Sequence, residues 1–520
     1  MDDWGHDLAD AERITPDICI VGAGPAALSL AHGLTGQGLR ILMLPGGGRT
    51  ATARAQDGYW GRQSGTQNES LTHARFRLLG GSGTRWSGLC RRLDPEDFTP
   101  KADQPWSGWP IDRATLDPFY ETAERLLDVS QPAVSARDWI DTLAPSSDLE
   151  GPGLYLDALR FARRRDLSAD LTTLQADPNL RIVLGASAVG LGDRGTPRTL
   201  RVRLACGRRM TVAARAVVLA CGAVETARLL LASRQRPGGV ADPHDMIGRC
   251  FMDHPYLFGP HIDAAAPQLA PLTVPDFDAV ERQRGGFAVW RATPDPAGPS
   301  IGAAAFLLPR LGFQRHPDFE TPGGKAVRHL AELVRTERVL SRDTLPELAR
   351  LWRPAALRSG LRSLRDSVRP NPKPTLRIQV ESLPDPESRI TLAENGTVTD
   401  LPRVHVHWRT GQAERDATRD LIDRIGAHLT AHGLGRLSGS YDMRSWPASQ
   451  SGGKHHMGGA RMSQDASRGV VAPDLSVHGE SGLYVAGSAV FPTSGWANPT
   501  LTIAALSLRL ADHLKATLRP

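Results

Sequence analysis

The chain has 520 residues, 40% of them hydrophobic, and a net charge of +6, which favours two interleaved domains over a single large one. Its charges form no long like-charged run of the kind that binds nucleic acid, and no window approaches the roughly 18 apolar residues of a membrane span. Five scattered cysteines without CxxC spacing argue against a disulfide framework or a zinc site. The acidic N-terminus lacks a secretion signal, so we expect a soluble cytoplasmic protein.

A β-α-β unit is predicted at the start of the chain. A buried strand over 17–21 leads through the sequence GAGPAA into a helix, and a second strand follows over 39–44. In this setting Gly22 makes the tight turn, and Gly24 lets the backbone approach a pyrophosphate. The second strand ends at Pro45, where such units carry an acidic residue for the ribose hydroxyls, so the ribose contact stays open. The predicted cofactor contacts in this unit are Gly22, Gly24, Pro25 and Ala26.

Residues 78–88 (LLGGSGTRWSG) contain too many glycines for a helix or a strand and suit a loop laid closely against a flat ligand. An acidic-Pro turn over 93–98, a Trp-Pro pair within 107–110 and a predicted helix over 114–129 follow. The predicted cofactor contacts in the loop are Gly80, Gly81, Ser82, Thr84, Arg85 and Trp86.

The middle of the chain changes in character. Predicted strands near 181–189 and 200–204 precede a strand, a glycine break and a helix over 216–230, with expected cofactor contacts at Ala188, Val189, Cys221 and Gly222. From about 257 to 439, short strand patterns at 286–290, 301–308, 376–382, 389–392 and 404–408 predict an antiparallel sheet. An arginine-rich helical insert over 324–370 is either a solvated helix surface or a docking surface for an acidic partner or a membrane.

The C-terminal segment concentrates the chemistry. It contains HHMGGARM at 455–462, an apolar strand that ends in small residues, and a long amphipathic helix after an Asn-Pro-Thr sequence. A strand that feeds a helix presents free backbone N–H groups to an anion or a polar ring edge. Asn498 also fits a helix N-cap with proline at the first helical position. The predicted cofactor contacts here are Gly487, Ser488, Asn498, Pro499 and Thr500.

These motifs resemble the glucose–methanol–choline (GMC) family of FAD-dependent oxidoreductases, over about residues 17–130 and again over the C-terminal segment. The resemblance implies an α/β fold in which a Rossmann-like FAD-binding domain is interleaved with an antiparallel substrate or cap domain. The implied FAD-binding segments are 1–100, 155–256 and 450–520, and the implied cap segments are 101–154 and 257–449. We expect no metal, and we expect core or surface roles for His254, His405 and His407 because they lack ligand partners at suitable spacing.

The resemblance also implies roles for individual residues. His455, three residues before the Gly-Gly turn, would take the hydroxyl proton of an alcohol while hydride leaves carbon for flavin N5. Asn498 would hold the oxygen as charge develops, and His456 would pack beside its neighbour or tune it. Arg85 stands where pyranose-oxidase-like members carry a histidine bonded to the flavin, so FAD is expected to be non-covalent. As a fixed cation near the ring, Arg85 could favour anionic reduced flavin.

The substrate is less closely defined, because fold does not determine substrate. Similarity to pyranose-oxidase-like and glucoside-3-dehydrogenase-like members favours an alcohol on a sugar, a glycoside or a glycosylated metabolite. Oxidation of a non-sugar natural-product alcohol, lyase chemistry on the same fold without net redox, and a flavin-free binding protein stay open as alternatives. The electron acceptor would be oxygen or another redox partner.

Overall fold

The computed structural model describes residues 10–66, 68–129, 147–164, 166–192, 194–236, 238–274, 285–293, 301–308, 354, 373–398, 400–438, 450–452 and 454–518. The basic insert predicted over 324–370 lies outside these residues, apart from position 354.

The described strands are β1 (Glu12–Ile14), β2 (Ile18–Val21), β3 (Ile41–Leu44), β4 (Gly61–Gly65), β5 (Leu89–Cys90), β6 (Leu154–Phe161), β7 (Leu180–Ile182), β8 (Ala186–Leu191), β9 (Arg198–Leu204), β10 (Arg209–Ala214), β11 (Ala216–Leu219), β12 (Pro255–Asp263), β13 (Gly286–Ala292), β14 (Ala303–Leu308), β15 (Thr375–Val380), β16 (Arg389–Val398), β17 (Leu401–Trp408), β18 (Arg436–Ser438), β19 (Gln450–Gly452) and β20 (Leu483–Val485). The described α-helices are α1 (Pro25–Leu34), α2 (Ala53–Gln56), α3 (Leu71–Ala74), α4 (Pro95–Phe98), α5 (Arg113–Leu126), α6 (Leu171–Gln175), α7 (Ala223–Arg234), α8 (Gln412–Ala431) and α9 (Thr500–Thr517).

The predicted β-α-β unit forms the centre of a five-stranded parallel sheet, ordered β20-β11-β2-β3-β7. Its central strands are buried along their whole length, as expected for a parallel sheet covered on both faces. Helices α1 and α9 pack together beside it, and a Cβ atom at Gly33 would lie only 2.6 Å from that of Ala511. The close helix–helix contact therefore requires glycine at position 33.

The strand predicted near 181–189 is wrong in its extent. The structure divides it into β7 and β8, separated by a turn in which Gly185 has φ +66°. Strand β7 continues the parallel sheet, whereas β8 begins a four-stranded sheet ordered β1-β10-β9-β8. The sequence of residues 181–189 does not reveal this change of sheet, because most residues of both β7 and β8 are buried.

The antiparallel sheet is confirmed, with the order β18-β12-β15-β14-β13-β6-β5 and β19 as a second partner of β12. Along β15, Leu376 and Ile378 join the core formed with α8, whereas Arg377 and Gln379 line a cavity. This alternation follows from the period of two in a strand. The sheet therefore has one face that packs against a helix and one face with polar groups for a ligand.

Two of the predicted strands lie elsewhere. β16 and β17 form a separate three-stranded sheet with β4, and β17 runs parallel to β4. The α/β fold class with a separate antiparallel sheet is confirmed. The division of the chain into FAD-binding and cap segments stays a prediction; β6, at the start of segment 155–256, pairs within the large antiparallel sheet.

Within the described ranges, no helix has the length and apolar character needed to cross a membrane.

Candidate active site

A cavity of about 630 Å³ lies between the parallel sheet and the polar face of the antiparallel sheet. This volume is within the usual range of ligand sites. The predicted site residues that line the cavity are Gly22, Gly24, Pro25, Ala26, Gly81, Ser82, Arg85, Trp86, Ala188, Cys221, Gly222, His455, His456, Gly487, Ser488, Asn498, Pro499 and Thr500. Three predicted contacts, Gly80, Thr84 and Val189, are not part of its wall.

These three residues support the wall from behind. The Gly80 N–H donates to the Ala23 carbonyl over 2.9 Å, and the Thr84 hydroxyl donates to the Gly81 carbonyl over 2.9 Å. Val189 lies in the hydrophobic core. The glycine-rich segment was predicted as a loop without helix, but residues Gly81–Arg85 form one 3₁₀ turn. The hydroxyl bond across the turn and the positive φ of Gly80 (+88°) and Gly81 (+55°) allow this tight conformation.

The N-terminal fingerprint fits a dinucleotide. Gly22 has φ +117°, and a Cβ atom there would lie 2.4 Å from the Ala220 carbonyl oxygen. At Gly24, no described atom lies within 4 Å of the place where a Cβ would stand, so a side chain would project into the cavity. Helix α1 starts directly after Gly24 without a side-chain cap, which leaves backbone N–H groups available to a pyrophosphate.

Arg77 lies against Gly46 and Gly47, directly after Pro45, the position at which an acidic ribose contact was expected. The Arg77 guanidinium donates from Nε to the Gly46 carbonyl over 3.1 Å and from Nη2 to Ser187 Oγ over 2.7 Å. A Cβ atom at Gly46 would lie 2.9 Å from Arg77 Nη2, and one at Gly47 would lie 2.0 Å from the Arg77 carbonyl oxygen. The glycines after Pro45 therefore make room for Arg77, whose guanidinium lines the cavity beside β3.

Backbone pairing brings two distant histidines together at the other end of the cavity. Met252 and Met457 form an antiparallel bridge, with N–H to carbonyl distances of 2.9 and 2.8 Å. The Asp253 carboxylate accepts the backbone N–H of His455 over 2.7 Å. These contacts set His254, which directly precedes β12, opposite His455.

The two imidazole rings are hydrogen-bonded edge to face. Nδ1 of His254 lies 2.9 Å from Nδ1 of His455, and the ring planes are inclined by 88°. On its other side, His254 Nε2 lies 2.8 Å from the carbonyl oxygen of Gly495. His254 is fully buried, as expected for a core residue, and it also contacts the candidate base directly.

Burial keeps the histidines of the site neutral. Burial lowers the pKa of His254 to about 4. Burial, with smaller contributions from His254, Arg377 and His456, holds the pKa of His455 well below its ordinary value of 6.5. A neutral imidazole has one ring nitrogen with a lone pair, and a general base needs this lone pair.

Asn498 is held by residues of the antiparallel sheet. Gln379 Nε2 donates to Asn498 Oδ1 over 3.1 Å and to the carbonyl of Trp496, while Gln379 Oε1 accepts from the Tyr256 hydroxyl over 2.7 Å. Since Asn498 Oδ1 accepts from Gln379, its amide nitrogen is the group left to donate to a ligand. The N-cap interpretation of Asn498 is not supported, because α9 begins at Thr500 with Pro499 as its cap and without a side-chain cap bond.

His456 lies beside the same cavity but makes no comparable hydrogen bonds. Among the described residues, neither of its ring nitrogens has a partner, and the nearest carboxylate oxygen, Asp253 Oδ2, is 3.8 Å from Nε2. Its ring packs near Phe251, with 5.5 Å between ring centroids. Burial lowers the pKa of His456 to about 3 and raises that of Asp253 to about 7. The contacts of His456 are those of a packing residue.

Sequence reasoning missed the side chains that the sheets contribute, namely Tyr256, Phe306, Arg377 and Gln379. A usable signal existed in β15, where polar residues alternate with apolar ones along the strand. His405 and His407 each form a hydrogen bond with the hydroxyl of Ser64 on β4, and neither histidine lines the cavity. No group of potential metal ligands occurs among the residues that the structure describes.

Comparison with known proteins places this geometry in context. Residues 384–507 match the family model described as GMC oxidoreductase. The 6'''-hydroxyparomomycin C oxidase of Streptomyces lividus is 27% identical, with 98% of this chain and 94% of the relative covered. The C-glycoside 3-oxidase of Microbacterium trichothecenolyticum is 25% identical over 90% of this chain and 81% of its own length. The crystal structure of pyridoxine 4-oxidase from Mesorbium loti superposes with a TM-score of 0.59, 17% identity and coverage of 96% and 99%.

Proposed function

We propose that this chain, whose residues 384–507 match the GMC oxidoreductase family model, oxidises an alcohol carbon of a sugar or glycoside with FAD as its cofactor. The observation that carries the proposal is the pair His455 and Asn498 at one end of a cavity whose other end is a dinucleotide fingerprint. The pair offers a lone pair and an N–H donor to a single substrate oxygen. A secondary or primary alcohol has the hydroxyl that such a pair would hold.

The chain's own residues supply the acid–base part of the reaction. His455 accepts the hydroxyl proton, which it can do because its neutral form is favoured. The Asn498 amide donates a hydrogen bond to the oxygen while negative charge develops on it. Gln379 holds that amide in orientation, so no reorganisation is needed at the moment of reaction. Bound FAD supplies the acceptor for the hydride.

The cofactor would be held without a covalent bond. The 3₁₀ turn over Gly81–Arg85 lies against the cavity, and the guanidinium of Arg85 stacks on the Phe76 ring at 5.4 Å. Arginine at position 85 offers no nucleophile for a flavin bond. Burial raises the pKa of the Cys221 thiol in the cavity wall to about 11, so this group is protonated at neutral pH.

At the adenosine end, we propose that Arg77 replaces the acidic ribose contact. Its guanidinium occupies the space that a side chain at Gly46 would enter, and it can donate to ribose hydroxyls or to phosphate oxygens. A cation also suits the two negative charges of the pyrophosphate. The ribose contact that Pro45 leaves open is therefore supplied, in this proposal, by the Arg77 guanidinium from the neighbouring loop.

The substrate class rests on the relatives and on the cavity wall. By their names, the two relatives above are an oxidase of 6'''-hydroxyparomomycin C and a 3-oxidase of C-glycosides. Near His455, the wall combines the aromatic rings of Tyr256 and Phe306 with polar groups of Arg377 and Gln379. Aromatic faces beside hydrogen-bonding groups suit a sugar, which has both apolar C–H faces and hydroxyls.

We also propose a cytoplasmic location and a division of the chain into FAD-binding and substrate segments. All five cysteines are free, which supports a reducing, cytoplasmic environment. We propose the segments 1–100, 155–256 and 450–520 for FAD binding and 101–154 and 257–449 for the substrate side. Cell fractionation and FAD-dependent protection from proteolysis would test these two points.

Anaerobic flavin reduction tests the function directly. The protein should purify yellow and release FAD into the supernatant on acid precipitation; colour in the washed pellet would contradict non-covalent binding. Under anaerobic conditions, a glycoside or sugar from a panel of sugars, C-glycosides, aminoglycosides and hydrophobic alcohols should bleach the flavin. Turnover of a panel compound without bleaching would indicate lyase chemistry instead. Reoxidation of the bleached protein by air or by a dye then identifies the electron acceptor.

A further inference from the structure

The hydrogen bonds of His254 and His455 determine which ring nitrogen of each histidine carries a hydrogen. A carbonyl oxygen only accepts hydrogen bonds, so the 2.8 Å contact with Gly495 requires that His254 Nε2 carries a hydrogen. Burial keeps His254 neutral at pH 7 by lowering its pKa to about 4. A neutral imidazole protonated at Nε2 has a bare lone pair at Nδ1.

A second neighbour supports the same assignment. Gln379 Nε2 lies 3.4 Å from His254 Nδ1, and an amide nitrogen can only donate. The orientation of this amide is fixed independently, since Gln379 Oε1 accepts from the Tyr256 hydroxyl and Nε2 donates to the Trp496 carbonyl. The two hydrogens of this amide are taken by the Trp496 carbonyl and by Asn498 Oδ1, so Gln379 places a positively polarised N–H group beside His254 Nδ1 without bonding to it, which favours a lone pair rather than a hydrogen at that atom.

The distance between the two rings completes the assignment. His254 Nδ1 and His455 Nδ1 are 2.9 Å apart, which requires one hydrogen between them. Since His254 Nδ1 has the lone pair, the hydrogen belongs to His455 Nδ1. His455 then has its own lone pair at Nε2, the ring atom that remains for a substrate hydroxyl.

We propose that His254 is a positioning residue that fixes the tautomer of His455, so that the basic lone pair of His455 is at Nε2. This inference rests on the proposed function, in which His455 is the base. When His455 takes the substrate proton at Nε2, it becomes an imidazolium that donates from Nδ1 to a neutral acceptor. Hydrogen bonds from a charged donor are stronger than neutral ones, so the contact with His254 strengthens as the proton moves.

The groups around the pair fit this role. Asp253 is bonded to the His455 backbone and not to either ring, and burial raises its pKa to about 7. Arg377 lowers the pKa of His455, which disfavours a second proton before substrate arrives. The orienting partner is therefore a neutral imidazole rather than a carboxylate.

Variants at position 254 separate orientation from folding. His254→Leu removes the acceptor, and we expect the rate of flavin reduction at saturating substrate to fall about 10–100-fold, the range typical of partners that orient a reacting histidine. His254→Asn retains an oxygen able to accept near the position of Nδ1, and we expect it to recover at least half of that loss on a logarithmic scale. His261→Asn changes a histidine within β12 that contacts Thr375 instead of the site, and it should leave the rate unchanged.

A direct measurement of the tautomer keeps the proposal testable even if a variant folds poorly. In wild-type protein with ¹⁵N-labelled histidine rings, the two His455 nitrogens should show the Nδ1–H form, with the resonances assigned by their loss in His455→Gln. An Nε2–H form of His455, or a His254→Leu protein with normal FAD content and the wild-type rate, would overturn the proposal. Failure of every alcohol to bleach the wild-type flavin would instead refute the proposed function, because the tautomer is read without turnover.

Discussion

Replacement of His455 by alanine is the most informative perturbation of this site. Loss of a positioned general base usually reduces the rate 10²–10⁴-fold, which corresponds to about 2.7–5.5 kcal/mol in the activation barrier. The change also removes the hydrogen bond to His254 Nδ1, and a buried acceptor without a partner costs about 1–3 kcal/mol of stability. FAD should be retained, because the residues proposed to bind it lie on other elements.

The matched control is the adjacent histidine. His456→Ala removes no hydrogen bond within the described part of the chain, so we expect its rate of flavin reduction to fall less than 10-fold. Stopped-flow reduction under anaerobic conditions gives both rates, and the flavin absorbance per protein gives the FAD content. A wild-type rate in His455→Ala together with a large loss in His456→Ala would refute the assignment and move the base by one residue.

Three further predictions concern neighbouring features. Asn498→Ala should lose about 10²-fold in the rate of flavin reduction with a stability cost of about 1 kcal/mol; a stability loss alone would show that Asn498 does not contact the reacting oxygen. Arg77→Ala should raise the FAD dissociation constant about 10–100-fold, the loss of one charge-assisted hydrogen bond, whereas exposed Arg49→Ala should not, as fluorescence titration of the apoprotein would show. The folded-state pKa values of His254 and His456, about 4 and about 3, lie below the ordinary 6.5, so their contribution to stability is present above pH 6.5 and is lost as the pH falls towards 4. In urea unfolding, the free energy of unfolding should fall by up to about 1.4 kcal/mol per pH unit for each histidine as the pH is lowered. His456→Phe should reduce this dependence on pH.

Local motifs were sufficient to predict the fold of the β-α-β unit at one end of the cavity. The strand, the glycine turn and α1 are consecutive in sequence, so their spacing alone indicates the geometry. The turn before the C-terminal helix was likewise predictable, because Gly487 has φ +104° and few residues other than glycine adopt that conformation.

The end of the cavity beside His455 could not be predicted in the same way. His254 and His455 are 201 positions apart, and their contact depends on the bridge between Met252 and Met457. Gln379 reaches Asn498 only because β15 and β12 are neighbours in a sheet whose strand order does not follow the chain. A single sequence carries no signal for such pairings, although the alternating polar residues of β15 indicate which face binds a ligand.

The turn after His455 has a consequence for how this protein can change. Gly458 has φ +75°, and a Cβ atom there would lie 1.9 Å from the Cys250 carbonyl oxygen. Position 458 therefore requires glycine, which fixes the register of this turn against the segment that contains Cys250. Point substitutions at the two bridge methionines leave the backbone pairing intact, because that pairing involves no side chain. An insertion of one residue between Met457 and Gly458 would shift this register and move His456 into the place of His455. Side-chain substitutions can therefore change which compounds fit the cavity. The position of the two histidines depends instead on the number of residues between these backbone contacts.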